Sequence, residues 1–267
     1  MLLPAPISPT VAASGVRLEH GGSLAVRETL AEETPITFAY NGVSYAVMMA
    51  TPTDLEDFAV GFSLTEGVVS RRAELLAITE VRYSGGIELQ MDTSAEVASG
   101  ARQRRLVGRT GCGICGKDDV SDILRPLTPL NSDARFDAHA ISRAIAGLTR
   151  QQPLNDATGA VHAAGWASAD GEILTVREDV GRHNALDKLI GALVRANVDP
   201  VTGFIVLTSR GSFELVQKAA IFGAAMLATV SAPTGLAVRV ADETGLTLAG
   251  FARDGRVTVY THAARVS

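Results

Sequence analysis

The chain has 267 residues, of which 46% are hydrophobic and 20% charged, so it can bury a sizeable core and is neither disordered nor fibrous. A formal net charge of -5 at pH 7 argues against a general nucleic-acid binder. The first residues lack the basic start and apolar run of a secretion signal, and no window approaches the roughly 20 apolar residues of a membrane span. We therefore expect a cytoplasmic protein of one or two domains, preceded by a disordered tail over residues 1–22.

The first part of the chain reads as a small α+β domain. Apolar and polar residues alternate over 24–40, and Asn41-Gly42 then leads into 43–49, which predicts a β-hairpin. After Pro52, a capping-box pattern of Thr53 and Glu56 predicts a helix over 54–65. A further alternating stretch, 82–91, predicts a strand near the end of this N-terminal domain, which we place at residues 23–105.

Residues 106–130 are rich in glycine and proline and predict a flexible loop, after which residues 131–267 alternate strand, polar turn and helix. This order is typical of an α/β domain with helices packed on a sheet. The predicted helices are 138–148, 184–196, 215–228 and one that begins near 233, and the predicted strands are 160–167, 172–176 and 204–208.

Ligands in such sheets usually lie beyond the strand ends, which makes the turns at 209–212 and 231–234 candidate ligand loops. Arg210 and a helix that starts after Ser212 would suit a phosphate, although ordinary capped turns explain the same residues equally well.

The strongest chemical signal is the C-x-x-C pair of Cys112 and Cys115. In a reducing compartment such a pair points to redox, metal or sulfur chemistry. A thiol of pKa about 8.5 is about 3% thiolate at pH 7, and neighbouring positive charge raises that fraction roughly tenfold. The thiolate can accept a sulfur atom and hold it as a persulfide. The segment from 102 to 117 contains no acidic residue and five basic ones: Arg102, Arg104, Arg105, Arg109 and Lys117.

Three other interpretations of this segment stay open. A zinc site needs four ligands, and the five histidines include no pair at zinc-finger spacing. A dithiol oxidoreductase would place the pair at a helix start after a strand, whereas here it sits between glycines. The residues also spell G-x-G-x-x-G (Gly111, Gly113, Gly116), but no strong strand precedes them and no acidic partner follows.

A second dense cluster is the charged segment 177–188, with sequence REDVGRHNALDK. It could be a solvated helix entry, but the order of strand, turn and helix would place Gly181, Arg182, His183 and Asn184 at a helix N-terminus that could hold an anion or a reacting group. His162 lies in an apolar stretch, where a hydrogen-bonded core histidine is more common than a ligand.

Four motifs together resemble the formate dehydrogenase accessory sulfurtransferase family (FdhD), and the resemblance extends from about residue 25 to the end. They are GRTGCGICG at 108–116, REDVGRHNALDKLIG at 177–191, TP-DLEDFAVGF near 51–62 with TEG at 65–67, and SAPTGLAV at 231–238. The combination is far more specific than any C-x-x-C alone.

The resemblance implies a sulfur carrier that takes sulfur from a cysteine desulfurase as a persulfide and passes it to the molybdenum cofactor (bis-molybdopterin guanine dinucleotide) before insertion into formate dehydrogenase. It implies Cys112 as the persulfide residue, Cys115 as its partner, no permanent metal and a homodimer. The alternative is a chaperone that binds the cofactor without transferring sulfur. By motif, the cofactor-binding residues would be Phe251, Ala252, Arg253, Asp254, Gly255 and Arg256.

The resemblance also implies a fold: a cytidine deaminase-like mixed sheet with packed helices in the larger C-terminal domain, beside the smaller N-terminal α+β domain. Deaminase chemistry is not implied, because Ala164 stands where an H-x-E motif after His162 would require glutamate.

Overall fold

The computed structural model describes residues 7–96, 127–253 and 255–267, and it begins with a two-stranded antiparallel hairpin. Its strands are β1 (Thr10–Glu19) and β2 (Gly22–Ala31). The prediction of a disordered tail over 1–22 is therefore wrong from residue 10 onward. The central residues of β1, Ala12 to Gly15, are small, so they give little of the apolar alternation by which a strand is recognised.

A four-stranded sheet follows, with strand order β4-β3-β6-β5. Its members are β3 (Thr34–Tyr40), β4 (Val43–Ala50), β5 (Leu75–Tyr83) and β6 (Gly86–Thr93), with a short 3-10 helix at Arg72–Glu74 before β5. The predicted hairpin at Asn41-Gly42 is confirmed, and both residues have positive φ as its tight turn requires. Two stretches that the sequence predicts to be one strand each form two strands in the structure. The stretch 24–40 divides between β2 and β3, and 82–91 divides at a turn between β5 and β6.

Helix α1 (Leu55–Thr65) packs on this sheet, close to its predicted bounds. The ring of Phe38 stacks on that of Phe62 with centroids 4.1 Å apart, and it meets Phe58 edge-on at 4.9 Å. The predicted capping box is not formed. Asp54 occupies the N-cap in the left-handed region, at φ 53°, and no side chain caps the helix among the described residues.

The second sheet is six-stranded and mixed, in the order β12-β11-β10-β9-β7-β8. The three neighbours β9, β10 and β11 are parallel, whereas β7 runs antiparallel to both β8 and β9. The strands are β7 (His162–Ser168), β8 (Ile173–Asp179), β9 (Gly203–Leu207), β10 (Met226–Thr229), β11 (Thr247–Arg253) and β12 (Arg256–Val259).

Helices cover both faces of this sheet, as the predicted α/β class requires. Residues of β9 alternate between the two cores: Ile205 and Leu207 pack with α4, α5 and α6, whereas Phe204 and Val206 pack with α2. The helices are α2 (Ala138–Thr149), α3 (Pro153–Thr158), α4 (Arg182–Arg195), α5 (Phe213–Phe222) and α6 (Gly235–Glu243), and a 3-10 turn lies at Ala263–Arg265.

Helix α5 corrects the prediction of one long helix over 215–228. Gly223, at φ 93°, ends the helix as its C-cap, and the apolar residues after it form the buried strand β10. A continuous apolar run does not by itself distinguish a buried helix from a buried strand, which is why the boundary was missed. Within the described ranges, no helix is long and apolar enough to cross a membrane.

The two sheets are joined by a crossing of α1 and α4, which we call the seam. A Cβ atom on Gly61 would lie 1.8 Å from the Asp187 carbonyl oxygen, and one on Gly191 would lie 1.8 Å from that of Asp57. Only glycine allows the two helix backbones to approach this closely.

Candidate functional site

The predicted sulfur-bearing residues, Cys112 and Cys115, lie outside the described residues, as does Asp254. The other candidate residues from the C-terminal domain can be placed, and most of them meet at one edge of the six-stranded sheet.

This edge, which we call the carboxyl edge, is where β8, β9, β10 and β11 end. Since β7 runs antiparallel to β8 and β9, its first residue, His162, lies at the same edge, paired with Asp179 at the end of β8. The turns at 209–212 and 231–234 follow β9 and β10 there. The prediction that the turn at 209–212 follows a strand is confirmed, whereas the turn at 231–234, predicted to follow a helix, follows the strand β10 beside it.

Backbone hydrogen bonds hold the carboxyl-edge turns together. Thr234 N donates to the Gly211 carbonyl at 2.9 Å, and Gly211 N donates to that of Ala232 at 3.3 Å. Phe251 N donates to Ser231 O at 3.2 Å, which ties the end of β11 to the same turn. The two predicted ligand loops and the start of the predicted cofactor segment therefore form one continuous surface.

Three helices begin at this surface, and two of their N-termini lack a side-chain cap. Thr234 caps α6 by accepting from Ala237 N at 3.2 Å, but among the described residues no side chain caps α4 after Gly181 or α5 after Ser212. The first N–H groups of a helix without such a cap are open to an anion, and the helix dipole favours negative charge there.

The two histidines of the edge are neutral near pH 7. Burial, followed by the charges of Arg182 and Lys218, lowers the pKa of His183 to about 3. Burial and the same Arg182 also lower the pKa of His162. The Arg182 charge therefore acts on both histidines.

The surroundings of His183 do not form a Ser-His-acid relay. Its Nε2 atom lies 3.5 Å from Ser212 Oγ and 3.9 Å from Glu214 Oε2, so both neighbours approach the same ring nitrogen. A relay needs the acid on the opposite nitrogen. Glu214 Oε2 is buried and has no hydrogen-bond partner among the described residues.

The charged segment 177–188 is divided between the edge and the seam. Its expected helix N-terminus is confirmed, since α4 begins at Arg182. Asn184, however, is buried and donates to Met49 O and to Asp179 Oδ1, both at 2.9 Å, so it joins the two sheets instead of facing a ligand. Lys188 is wholly buried and lies 2.6 Å from Asp179 Oδ2.

The rest of the seam is equally ion-paired. Arg177 and Arg195 both bind the buried carboxylate of Asp57. Lys218 bonds both oxygens of Asp187 at 2.9 Å. Burial alone would lower the pKa of Lys218, but the carboxylates beside it outweigh burial and raise that pKa, so the pair is charged. Several residues that read as candidate chemistry are therefore structural.

In the predicted cofactor segment, Phe251 is exposed and Ala252 is buried. Phe251 has φ 51°, a left-handed conformation that is rare for an aromatic residue, and its surface is 41% exposed. Arg253 and Arg256 lie opposite each other across the β11–β12 turn, in which Gly255 has φ 72°. Strained backbone of this kind clusters at functional sites.

Sequence reasoning missed Tyr260, which lies beside this segment. A Cβ atom on Gly250 would meet Tyr260 Cε2 at 3.2 Å and Pro233 Cδ at 2.7 Å, and Tyr260 is 38% exposed. The edge thus carries two exposed aromatic rings. No residue pattern around Tyr260 would have shown this, because the contact depends on how β12 returns along β11. Within the described parts of the chain, no three His, Cys, Asp or Glu side chains are grouped so as to hold a metal ion.

Comparison with known proteins shows to which family the chain belongs. The FdhD/NarQ family profile matches residues 31–267. The chain belongs to the FdhD/NarQ family. It is 50% identical over 264 residues to the sulfur carrier protein FdhD of Xanthomonas campestris pv. campestris strain B100, covering 98% of this chain and 94% of that one. The sulfur carrier protein FdhD of Bordetella bronchiseptica is 48% identical over 240 residues, covering 89% and 87%.

A solved structure has the same fold. It is that of a protein from Desulfotalea psychrophila described as a formate dehydrogenase accessory protein, with a TM-score of 0.74 and 24% identity over 97% of this chain and 99% of that one. The family predicted from the motifs is thereby confirmed, and so is a mixed α/β fold that spans both sheets.

Proposed function

We propose that the protein is a cytoplasmic sulfurtransferase that carries sulfur from a cysteine desulfurase to the molybdenum cofactor of formate dehydrogenase. The observation that carries the proposal is the pair Cys112 and Cys115, set in a basic segment of a chain whose relatives are named sulfur carrier proteins. The cofactor, as bis-molybdopterin guanine dinucleotide, is the substrate that receives the sulfur.

In the first step the Cys112 thiolate attacks the outer sulfur of a persulfide on the desulfurase. A new S–S bond forms on Cys112, the desulfurase S–S bond breaks, and the desulfurase cysteine leaves as a thiolate. The proton on the transferred sulfur stays with it, so no further acid or base is needed. The nearby Arg109 and Lys117 charges favour the attacking thiolate.

In the second step the sulfur must gain two electrons, because persulfide sulfur reaches the metal as sulfide. Cys115 supplies them by attacking the inner sulfur of the Cys112 persulfide, which forms a Cys112–Cys115 disulfide and releases hydrogen sulfide. The sulfide replaces an oxygen ligand of the molybdenum, which leaves as water. A thiol reductant then restores the two cysteines for the next cycle.

The carboxyl edge is the proposed cofactor site. Its two uncapped helix N-termini and the Arg182 charge suit the phosphates of a dinucleotide. Phe251 and Tyr260 offer rings on which a guanine base can stack. The described residues carried over by motif, 251–253 and 255–256, lie at this same edge, which supports one site for both the base and the phosphates.

The first test is to incubate the protein with a cysteine desulfurase and labelled cysteine and to measure each cysteine peptide by mass spectrometry. A gain of about 32 Da on Cys112, the mass of one sulfur atom in a persulfide, is expected. Cys115→Ser should accumulate the persulfide, because its release is blocked, whereas Cys112→Ser should carry none. A gain on neither cysteine would contradict sulfur transfer.

The second test measures binding of guanosine diphosphate by calorimetry. Arg256→Met should weaken binding, and Arg143→Met, on α2, is the matched control. If the nucleotide binds while neither cysteine gains sulfur, the protein is the cofactor-binding chaperone that the sequence left as the alternative. In that case variants lacking both cysteines would still support formate dehydrogenase.

A further inference from the structure

Glu214 is a buried carboxylate that the chemistry proposed above does not use. It lies in the first turn of α5, it is 9% exposed, and its Oε2 atom has no hydrogen-bond partner among the described residues. A buried polar atom without a partner costs about as much free energy as a lost hydrogen bond, and native proteins contain few such atoms. A ligand that completes the hydrogen bonding would explain this one.

Neighbouring charges do not account for Glu214. Among the described residues, only His183 lies within ion-pair distance as a basic partner, and its Nε2 atom is 3.9 Å from Glu214 Oε2, too far for a hydrogen bond. Because its pKa is about 3, His183 is neutral near pH 7 and supplies no charge. Lys218 lies one turn further along α5, but it bonds both oxygens of Asp187. Glu214 therefore has no cation beside it in the described part of the chain.

Glu214 lies where the starts of α4 and α5 meet, a place that we call the α4–α5 niche. Ser212, the residue before α5, has its Oγ atom 3.5 Å from Nε2 of His183, which belongs to the first turn of α4. No side chain among the described residues caps either helix. The niche thus combines a carboxylate, which accepts hydrogen bonds, with backbone N–H groups, which donate them.

A ligand for this niche must present N–H donors and an acceptor side by side. A phosphate would place negative charge against Glu214, and a cationic amine would oppose the positive ends of two helices. The 2-amino-4-oxo edge of a pyrimidine ring suits both parts. Its ring N–H and amino group donate to a carboxylate, and its carbonyl oxygen accepts from a helix N-terminus.

We infer that Glu214 binds the 2-amino-4-oxo edge of a ring in the molybdenum cofactor. The inference rests on the proposed function, because that function supplies the ligand. The cofactor carries this edge in two kinds of ring, its pterins and its guanines. In this role Glu214 selects the ring and orients it, and it takes no part in the transfer of sulfur.

The position of Glu214 along the carboxyl edge favours the pterin. Glu214 follows β9, whereas Phe251 lies near the end of β11, and β10 runs between these strands. Neighbouring strands are about 4.8 Å apart, so β9 and β11 are separated by about 10 Å. A guanine that stacks on Phe251 is then too far away to bond Glu214. Because a pyrophosphate joins the guanine to the pterin, the pterin can lie in the niche while the guanine lies at Phe251.

The first experiment uses the full-length protein without substitution. Binding of pterin (2-amino-4-oxopteridine) is measured by the fluorescence of the ligand and compared with binding of lumazine, the 2,4-dioxo analogue. Lumazine has an oxygen in place of the amino group, so it sets an acceptor against the carboxylate. Pterin should bind at least about tenfold more tightly, because a site built for a hydrogen-bond donor rejects an analogue that lacks it.

The second experiment repeats the comparison in Glu214→Gln, which keeps the shape of the side chain and removes its charge. The variant should lose the preference for pterin over lumazine. Glu243→Gln, exposed at the far end of α6, is the matched control and should keep it. Because Glu214 lacks a partner, Glu214→Gln should resist urea at least as well as the unsubstituted protein. A less stable variant that keeps the preference would show a structural role and overturn the inference.

A further pair of ligands identifies the ring. Guanosine diphosphate is compared with inosine diphosphate, which lacks the amino group, in the unsubstituted protein and in Glu214→Gln. Loss of the pterin preference alone would assign Glu214 to the pterin, and loss of the guanosine preference alone would assign it to guanine. If the unsubstituted protein favours the amino ligand in neither pair, or if Glu214→Gln changes neither preference, the inference is wrong. The sulfur gain on Cys112 tests the proposed function separately, because it needs no pterin.

Discussion

The seam between α1 and α4 and the carboxyl edge of the six-stranded sheet use similar residues in opposite ways. At the seam, the carboxylates of Asp57, Asp179 and Asp187 are buried and each is paired with a basic side chain, as Asp179 is with Lys188. At the edge, helix N-termini lack side-chain caps and Phe251 is held in a strained backbone. The segment 177–188 contributes to both regions. A dense cluster of charged residues in a sequence therefore does not by itself identify a functional site. The structure must first show which of these residues already have ion-pair or hydrogen-bond partners.

The largest expected effect on stability comes from a steric clash at the seam. Gly191→Ala places a methyl group 1.8 Å from the Asp57 carbonyl oxygen, so one helix must move, and we expect a loss of about 4 kcal/mol in the free energy of unfolding. Urea denaturation measures it. Gly85→Ala is the control, because no atom lies within 4 Å of its Cβ position and it should be nearly neutral. Equal stability of both variants would mean that the helices do not cross this closely.

The next effect removes one charge from the seam. Lys188→Met leaves the fully buried Asp179 without its cation, and the expected cost is about 3 kcal/mol. The exposed pair of Arg17 and Glu28 provides the comparison, since Arg17→Met should change stability by less than about 0.5 kcal/mol. The same denaturation experiment applies, and a cost for Lys188→Met no larger than that for Arg17→Met would contradict a buried pair.

A pH effect tests the edge. The pKa of His183 is about 3 in the folded protein and about 6.5 in the unfolded chain, so between these values only the unfolded chain binds the proton. Stability should therefore fall as pH drops below 6.5, by about 2 kcal/mol from pH 7 to pH 5. His183→Asn should lose this part of the slope. An unchanged slope in His183→Asn would show that the imidazole is accessible to protons.

The smallest effect relieves strain at the edge. Asparagine tolerates the left-handed conformation that Phe251 adopts, so Phe251→Asn should stabilise the fold by about 1 kcal/mol. The same change should weaken binding of guanosine diphosphate, because it removes a stacking surface. Thermal unfolding and calorimetry measure the two results. A destabilised variant would mean that the Phe251 ring contributes more to packing than its exposure suggests.

Much of the fold could be predicted because local signals were strong. Asn41-Gly42 specifies a tight turn, and the apolar stripe of α4 specifies an amphipathic helix. Strand β1 was missed because its central residues, Ala12 to Gly15, are small, and β10 was missed because an apolar run continues from α5 across Gly223. Both errors arise where the type of side chain does not indicate the backbone conformation.

Only part of the candidate site could be predicted from the sequence. The turn beyond β9 could be placed from the order of elements alone, because ligand loops follow the strand ends of such a sheet, but the turn beyond β10 could not, because β10 itself was missed. The role of Asn184 could not, because its partners Met49 and Asp179 depend on how the two sheets dock. Tyr260 reaches the edge only through the return of β12. Contacts of this kind depend on the tertiary structure and cannot be predicted from the local sequence.

The glycine crossing also has a consequence for synthesis. Gly61 and Gly191 are 130 positions apart in the chain, so at roughly 5–20 residues per second a ribosome needs about 7–26 s to make the second after the first. For most of that interval Asp57 of α1 has neither Arg177 nor Arg195 to bind, because both are made close to Gly191. The first sheet can collapse early, but α1 acquires its final neighbours only when α4 leaves the exit tunnel. The two sheets can therefore be joined only after α4 has been made.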